Sequence, residues 1–296
     1  MKRVWTGLLS GLLVLGAGAS VQAGSAFAQS LNPVPYLGQQ PPGLTPEPFA
    51  PGLVSSPGYE YGGVFSPEMD AFYFIRGRGV GSAQDFVVFD YKEEGWRETV
   101  LSPRVGQPFI APDGATLHLG GRYMERSDTG WSEIYSLGQP FDDFQIMRLT
   151  ASSAGTYVFD EIGSPDGDGV LRYSRLVDGV REAPKPFSAT INTGTFNAHP
   201  FIAPDESYIL WDGRRPSGFG GSDIYVSFRQ ANGEWGPATN LGEAINTPAW
   251  EASASVTPDG QYLFFHRMIR PADGDGLPDV DIFWVDAQIL DTLRPD

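Results

Sequence analysis

A unit recurring roughly every 45 to 55 residues limits what this chain can fold into more than any other feature of its sequence. Each unit carries a turn of proline followed by an acid, and then an apolar triplet. The turns are Ser66-Pro67-Glu68, Ala111-Pro112-Asp113-Gly114, Ala203-Pro204-Asp205-Glu206 and Thr257-Pro258-Asp259-Gly260. Five to seven positions after each proline stand Phe72-Tyr73-Phe74, Leu117-His118-Leu119, Ile209-Leu210-Trp211 and Leu263-Phe264-Phe265. A self-similar period of this length marks an array of small supersecondary units. Proline presets the first turn angle and Gly or Asp tolerates the next, so each turn closes a hairpin whose second strand is the triplet. With no polar face, that strand is expected to be buried on both sides.

The rest of each unit also reads as strand. A third strand is expected to open on an acid, at Asp85-Phe86-Val87, Glu133-Ile134-Tyr135, Asp223-Ile224-Tyr225 and Asp281-Ile282-Phe283-Trp284. A fourth follows a Gly/Trp turn, at Gly95-Trp96 and Gly233-Glu234-Trp235. Four antiparallel strands make one propeller blade. Around Ser152-Ser153-Ala154-Gly155 the Pro-acid turn is lost, but Tyr157-Val158-Phe159 and Val170-Leu171-Arg172-Tyr173 keep the strand pattern, which brings the count to five. The segment from Phe49 to Pro57 resembles Leu241 to Pro248, the stretch leading from one unit into the next, yet no unit precedes it. Because the final unit ends after its third strand at Asp286, residues near 48–55 are expected to supply its missing outer strand. Such closure would remove exposed sheet edges. The fold class is thus all-β: a β-propeller of four-stranded antiparallel blades, five or alternatively six, closed by an N-terminal strand that completes the last blade.

The Pro-Asp-Gly turn with its aromatic strand, Gly220-Gly221-Ser222-Asp223-Ile224-Tyr225 and Asp281-Ile282-Phe283-Trp284-Val285-Asp286 together resemble the WD40-like, TolB-type β-propeller repeats of exported bacterial proteins. The resemblance covers about residues 47–290 and is specific for fold. It implies no single activity, since such repeats occur in a translocation-complex component, in sugar lyases that use metal sites, and in many other proteins. Propellers of the TolB type have six blades and a separate N-terminal α/β domain, which has no counterpart here.

The N-terminus reads as a secretory signal: Lys2 and Arg3, an apolar stretch from Leu8 to Leu15, and Ala26-Phe27-Ala28 as a cleavage site, with Ala23 as the other candidate. The expected organisation is a signal peptide over 1–28, a Pro-rich extended arm over 29–47 and a single propeller over 48–296. Loss of Lys2 and Arg3 lowers the basic residues from 20 to 18 against 36 acids, taking the net charge from −16 to −18. A field of that sign repels nucleic acid and anionic membrane surfaces, while allowing cations, neutral glycans and basic partners. The absence of cysteine excludes disulfide and thiol chemistry.

Propellers bind ligands at the axial funnel. Seven residues before the turn prolines stand Glu60, Val105, Asn197 and Glu251; five before them stand Gly62, Gln107, His199 and Ser253. This register predicts polar side chains near one mouth of the channel, with Glu60, Asn197, His199, Arg215 and Glu251 as ligand-binding candidates. The plainer alternative is that they satisfy the inner-strand backbone. Asp273-Gly274-Asp275-Gly276-Leu277-Pro278-Asp279 alternates carboxylates around a Gly bend, a pattern suited to Ca²⁺, with Asp273, Asp275 and Asp279 as metal candidates. Pro165-Asp166-Gly167-Asp168-Gly169 is a weaker copy and reads as a turn. The three histidines lie on different strands and do not suggest a joint zinc site. Trp96, Trp131 and Trp235 could stack on sugars, but their position after blade turns favours structural anchoring.

No Gly-x-Ser-x-Gly elbow, phosphate loop or His-Glu-x-x-His motif is present, and no catalytic residue is singled out. The expected function is a monomeric, exported, non-enzymatic module, periplasmic or secreted, that binds an envelope protein, peptide or glycan. The alternative is a carbohydrate-active lyase or hydrolase working from the funnel; a cluster of Glu60, His199, Arg215 and Glu251 around one point would favour it.

Overall fold

The structure, a computed structural model, describes residues 35–77, 83–93, 95–163, 169–274 and 278–295. The signal segment, the start of the Pro-rich arm, Asp275 and most of the weaker 165–169 run lie outside the described residues. What is described is built almost wholly of antiparallel strands, with one short helix, Gln288–Asp291, after the last of them.

The first sheet contains Tyr59–Phe65, Ala71–Gly77, Gln84–Lys92 and Gly95–Pro103 in sequence order. The third contains Leu149–Ala151, Tyr157–Glu161, Val170–Ser174 and Lys185–Pro186; the fourth contains Thr195–Ile202, Tyr208–Arg214, Asp223–Phe228 and Thr239–Asn240. The second sheet departs from the expected layout. Its Gly120-Gly121 turn follows the triplet so tightly that Arg122–Ser127 is the third strand, and Tyr135–Ser136 pairs outside it as the fourth. The acid-led Glu133-Ile134-Tyr135 segment therefore lies one strand further out than its sequence pattern suggests.

The last group of strands, Glu251–Val256, Tyr262–Arg270 and Asp279–Asp286, is continuous with the first sheet through one parallel pair, Tyr59 with Val280, and its outer strand also pairs with Glu47–Pro48 from the start of the described chain. Phe49 then donates its N–H to the Ile282 carbonyl at 2.7 Å and buries its ring among Phe65, Phe72, Phe264 and Trp284. Before it, Tyr36 and Leu37 are also buried, and the Tyr36 hydroxyl donates to Asp259 at 3.0 Å. The arm is thus not extended throughout: Pro35–Gly38 forms a short turn packed on the last sheet.

The Pro-acid turns have one shared geometry. In each, the residue before proline accepts an N–H from three residues on and exchanges a ladder bond with the start of the triplet strand, as at Ala203, Glu206 and Tyr208. The variant turn at Ser152 keeps both bonds in a loop one residue shorter, with Ser152 N–H to Thr156 at 3.0 Å. All four triplets are buried, the least covered being Tyr73 at 5% exposure, as expected of strands packed on both faces. Each fully buried Leu, Ile or Phe contributes about 1.5–3 kcal/mol relative to exposure. The first strands of consecutive sheets touch in order, and the first strand of the last sheet touches that of the first.

Candidate functional site

Three first strands bulge at equivalent positions. The pairing register shifts at Gly62, at His199 and at Ser253, and these residues have φ of 67°, 48° and 54°. Glycine enters this left-handed region freely; His and Ser do so only when the surroundings hold them there. Those surroundings are carboxylates of the preceding sheet. Asp160 accepts the His199 N–H at 2.8 Å, and Asp212 accepts the Ser253 N–H at 3.0 Å. Asp160 also accepts the N–H groups of Met147 and Arg148, at 2.9 and 3.0 Å. Each of these acids directly follows its sheet's buried triplet. In the last sheet that position belongs to His266.

His199 Nδ1 lies 2.9 Å from Asp212. Burial works against protonation of this imidazole, but Asp212, with Asp160 behind it, outweighs burial and raises its pKa. Burial raises the Asp160 pKa against the pull of His199 and three backbone N–H groups. His266 is pushed the other way: burial, then His199 and Arg148, lower its pKa well below the ordinary value, so it is neutral. Its ring is 2% exposed, sits 4.9 Å from the Trp250 ring and 6.3 Å from that of His199, and has no hydrogen-bond partner at either nitrogen.

These groups line a cavity of about 850 Å³ with residues from the first, third, fourth and last sheets, and Gln107 just before the second. Two bonds between non-neighbouring sheets cross beside it: the Ser253 hydroxyl donates to Gln107 at 2.9 Å, and buried Arg148 donates to the Ala254 carbonyl at 3.0 Å. Burial lowers the Arg148 pKa to about 10. Aromatic rings form the wall. Tyr59 stacks on Trp250 at 6.5 Å, and Tyr61 is fixed by its hydroxyl bond to Gln84 at 2.7 Å. Trp250 is held by backbone bonds on both sides, from Glu251 N–H to Ser222 and from Met268 N–H to its own carbonyl. Phe196 completes the wall with a φ of 55° and 45% exposure, a conformation rare for an aromatic residue. A smaller apolar cavity of about 370 Å³ is lined by the turn prolines Pro67, Pro112, Pro204 and Pro258.

Of the residues singled out from sequence, Asn197 and His199 line the large cavity. Arg215 stands behind Asn197, 3.4 Å from its Oδ1, with its guanidinium 3.6 Å from the Tyr225 ring centre. Glu60 and Glu251 are not among the lining residues. Glu60 accepts from Ser56 at 2.7 Å and pairs with Arg76 at 3.4 Å; burial raises its pKa to about 7. Glu251 accepts from Thr247 and pairs with Arg267 at 2.9 Å. The two glutamates clamp their own first strands, so Glu60, His199, Arg215 and Glu251 share no common point. His118 is a core residue, packed on Tyr157 at 5.1 Å. The tryptophans anchor sheets: Trp131 donates to Tyr73 of the first sheet at 3.1 Å, and Trp235 packs on Phe187 of the third.

In the proposed calcium loop, Asp279 accepts the Gly58 N–H at 3.1 Å and pairs with Arg270 at 3.1 Å, while Asp273 is exposed. No group of three metal-ligating side chains occurs among the described residues. Sequence reasoning missed Asp160, Asp212 and His266. Their signal was the position directly after each triplet, where Ile75 and Gly120 stand in the first two sheets and titratable groups in the last three.

No protein-family model matches the chain, and no curated protein does. Among solved structures it is similar to TolB from Acinetobacter baumannii, with 15% identity and a TM-score of 0.47 over 77% of this chain and 57% of that one. It is also similar to the catalytic domain of the Coprinopsis cinerea GH62 α-L-arabinofuranosidase, with 11% identity and a TM-score of 0.47 over 82% of this chain and 94% of that one. A third likeness is to a chain of the nidogen/laminin complex, with 11% identity and a TM-score of 0.46 over 78% and 86%. Similarity at this level is one of loose shape. The chain spans little more than half the length of the A. baumannii protein. None of the described helices is long and apolar enough to cross a membrane.

Proposed function

We propose that this chain is an exported, five-bladed propeller, closed by Glu47–Pro48 on its last blade, whose axial cavity receives a glycan without turning it over. The order of contact among the five first strands supports the blade count and the closure. One observation carries the ligand reading: neutral, buried His266 faces the cavity below Trp250 with both ring nitrogens unpartnered. A neutral imidazole offers one donor and one acceptor, the pair a sugar hydroxyl answers. Leaving such a group unmatched costs about 1–3 kcal/mol, which a ligand hydroxyl would recover. The aromatic wall of Trp250, Tyr59, Tyr61 and Phe196 suits the apolar faces of sugar rings. Binding is favoured over hydrolysis because the cavity's acids, Asp160 and Asp212, both hold backbone N–H groups, and Glu60 and Glu251 are clamped elsewhere. Isothermal titration against a panel of neutral and acidic oligosaccharides tests this reading. Expected is a binding isotherm for at least one of them, weakened at least about tenfold in Trp250→Ala and in His266→Leu, with both variants still folded. A silent panel, or release of new reducing ends, would overturn it.

A further inference from the structure

The large cavity carries a charge pattern opposite to that of the protein around it. Acids outnumber bases 36 to 20 in the chain, and most arginines with a carboxylate in reach are paired with it: Arg76, Arg172, Arg175, Arg229, Arg267 and Arg270 all form ion pairs. Arg104 and Arg214 line the cavity, are exposed, and have no acidic partner among the described residues. The lining acids, Asp160 and Asp212, are both buried and bonded to backbone N–H groups, so no described lining residue places an exposed carboxylate at the opening.

Both guanidinium groups are also held in place. Arg214 lies 4.8 Å from the Phe196 ring centre and donates its Nε–H to the Gly221 carbonyl at 2.9 Å, which leaves its two terminal amino groups for a ligand. Arg104 lies 5.8 Å from the ring centre of Tyr61. A guanidinium steadied by an aromatic ring loses less freedom on binding, and its planar fork matches a carboxylate at two points. The left-handed backbone of Phe196 fits the same purpose: it puts the ring that supports Arg214 at the opening. Arg104 follows the first sheet and Arg214 ends the second strand of the fourth, so the cations stand on sheets that are not neighbours.

We infer that the glycan received by the cavity is acidic, a uronate oligomer whose carboxylates are read by Arg104 and Arg214 while a ring stacks on the aromatic wall above His266. This rests on the glycan-binding reading and adds the ligand's charge class. In a protein of this net charge the distant field repels anions, so recognition must come from short-range pairing at the opening.

The test uses trimers of galacturonate, glucuronate and mannuronate, each beside its neutral methyl ester, titrated by calorimetry into the full mature chain. Expected is that at least one acid binds about tenfold or more tighter than its ester, an advantage that shrinks as salt rises from about 50 to about 300 mM. Arg104→Gln and Arg214→Gln should each shrink that advantage by weakening binding of the acid more than that of its ester. Equal affinity for acid and ester throughout, or binding confined to neutral sugars, would overturn the charge inference and leave the glycan reading standing. Silence toward every acid, ester and neutral sugar would overturn both.

Discussion

At the residue scale, Asp160 and Asp212 matter most for order. Each reaches across a sheet boundary to hold the N–H of a bulged residue, so the local strain at His199 and Ser253 is balanced by charge-assisted bonds. Replacing Asp160 by Asn turns one of its acceptor oxygens into a donor facing N–H groups; Asp160→Asn should lose about 2–4 kcal/mol in urea unfolding, and an unchanged midpoint would refute the latch. His118 offers a pH test. Burial, then Arg181, lower its pKa to about 3, whereas the unfolded chain protonates this imidazole near its ordinary value of 6.5. Between those values the unfolded state binds the extra proton, so the contribution of His118 to stability is full at neutral pH and is lost as pH falls. Compared with His118→Leu, the wild type should lose up to about 1.4 kcal/mol more per unit of acidification below pH 6.5, and parallel curves would contradict the assignment. The histidines also show where sequence stops being informative. His118 and His266 both sit in or beside an apolar triplet, and only the three-dimensional placement separates a core ring from a cavity wall.

At the scale of elements, the hairpins were legible because their turn chemistry is local: Pro67, Pro112, Pro204 and Pro258 and the acids after them specify the loop whatever surrounds it. The Ser152 turn shows that the geometry survives without proline, which is why the degenerate unit could be read from its strands alone. Local signals misplaced Glu133-Ile134-Tyr135, because the tight Gly120-Gly121 turn inserts Arg122–Ser127 ahead of it. Glu60 and Glu251 were placed on the right strands, but their partners Arg76 and Arg267 come from the pairing register, which no single-strand pattern carries. Phe49 is the test of the N-terminal element. Its fully buried ring touches four aromatic neighbours, so Phe49→Ala should lower stability by about 3–5 kcal/mol by thermal or urea unfolding, and a loss within about 0.5 kcal/mol would refute its role as the anchor of the outer strand. The calcium proposal for Asp273, Asp275 and Asp279 belongs to this scale too. Titration with Ca²⁺ should give heat that Asp275→Ala abolishes, and identical heats would dispose of it.

At the scale of the molecule, first strands that touch one another in order bring Tyr59, Gln107, Asp160, His199 and His266 from distant parts of the chain to one cavity. If the segment around Glu47–Pro48 closes the ring, deleting residues 29–56 should replace one cooperative unfolding transition by a broad, non-cooperative one, and unchanged melting would rule closure out. The fold was legible because a repeat states the same information several times. The cavity was only half legible, since its chemistry lies in the departures from the repeat, and those converge only once the sheets are arranged around an axis. The most direct measurement follows the imidazole resonances of the three histidines by NMR while the tightest-binding oligosaccharide is added. The His266 ring nitrogens should shift most, those of His199 less, and those of His118 not at all. Saturable binding that leaves His266 unmoved would contradict the glycan reading.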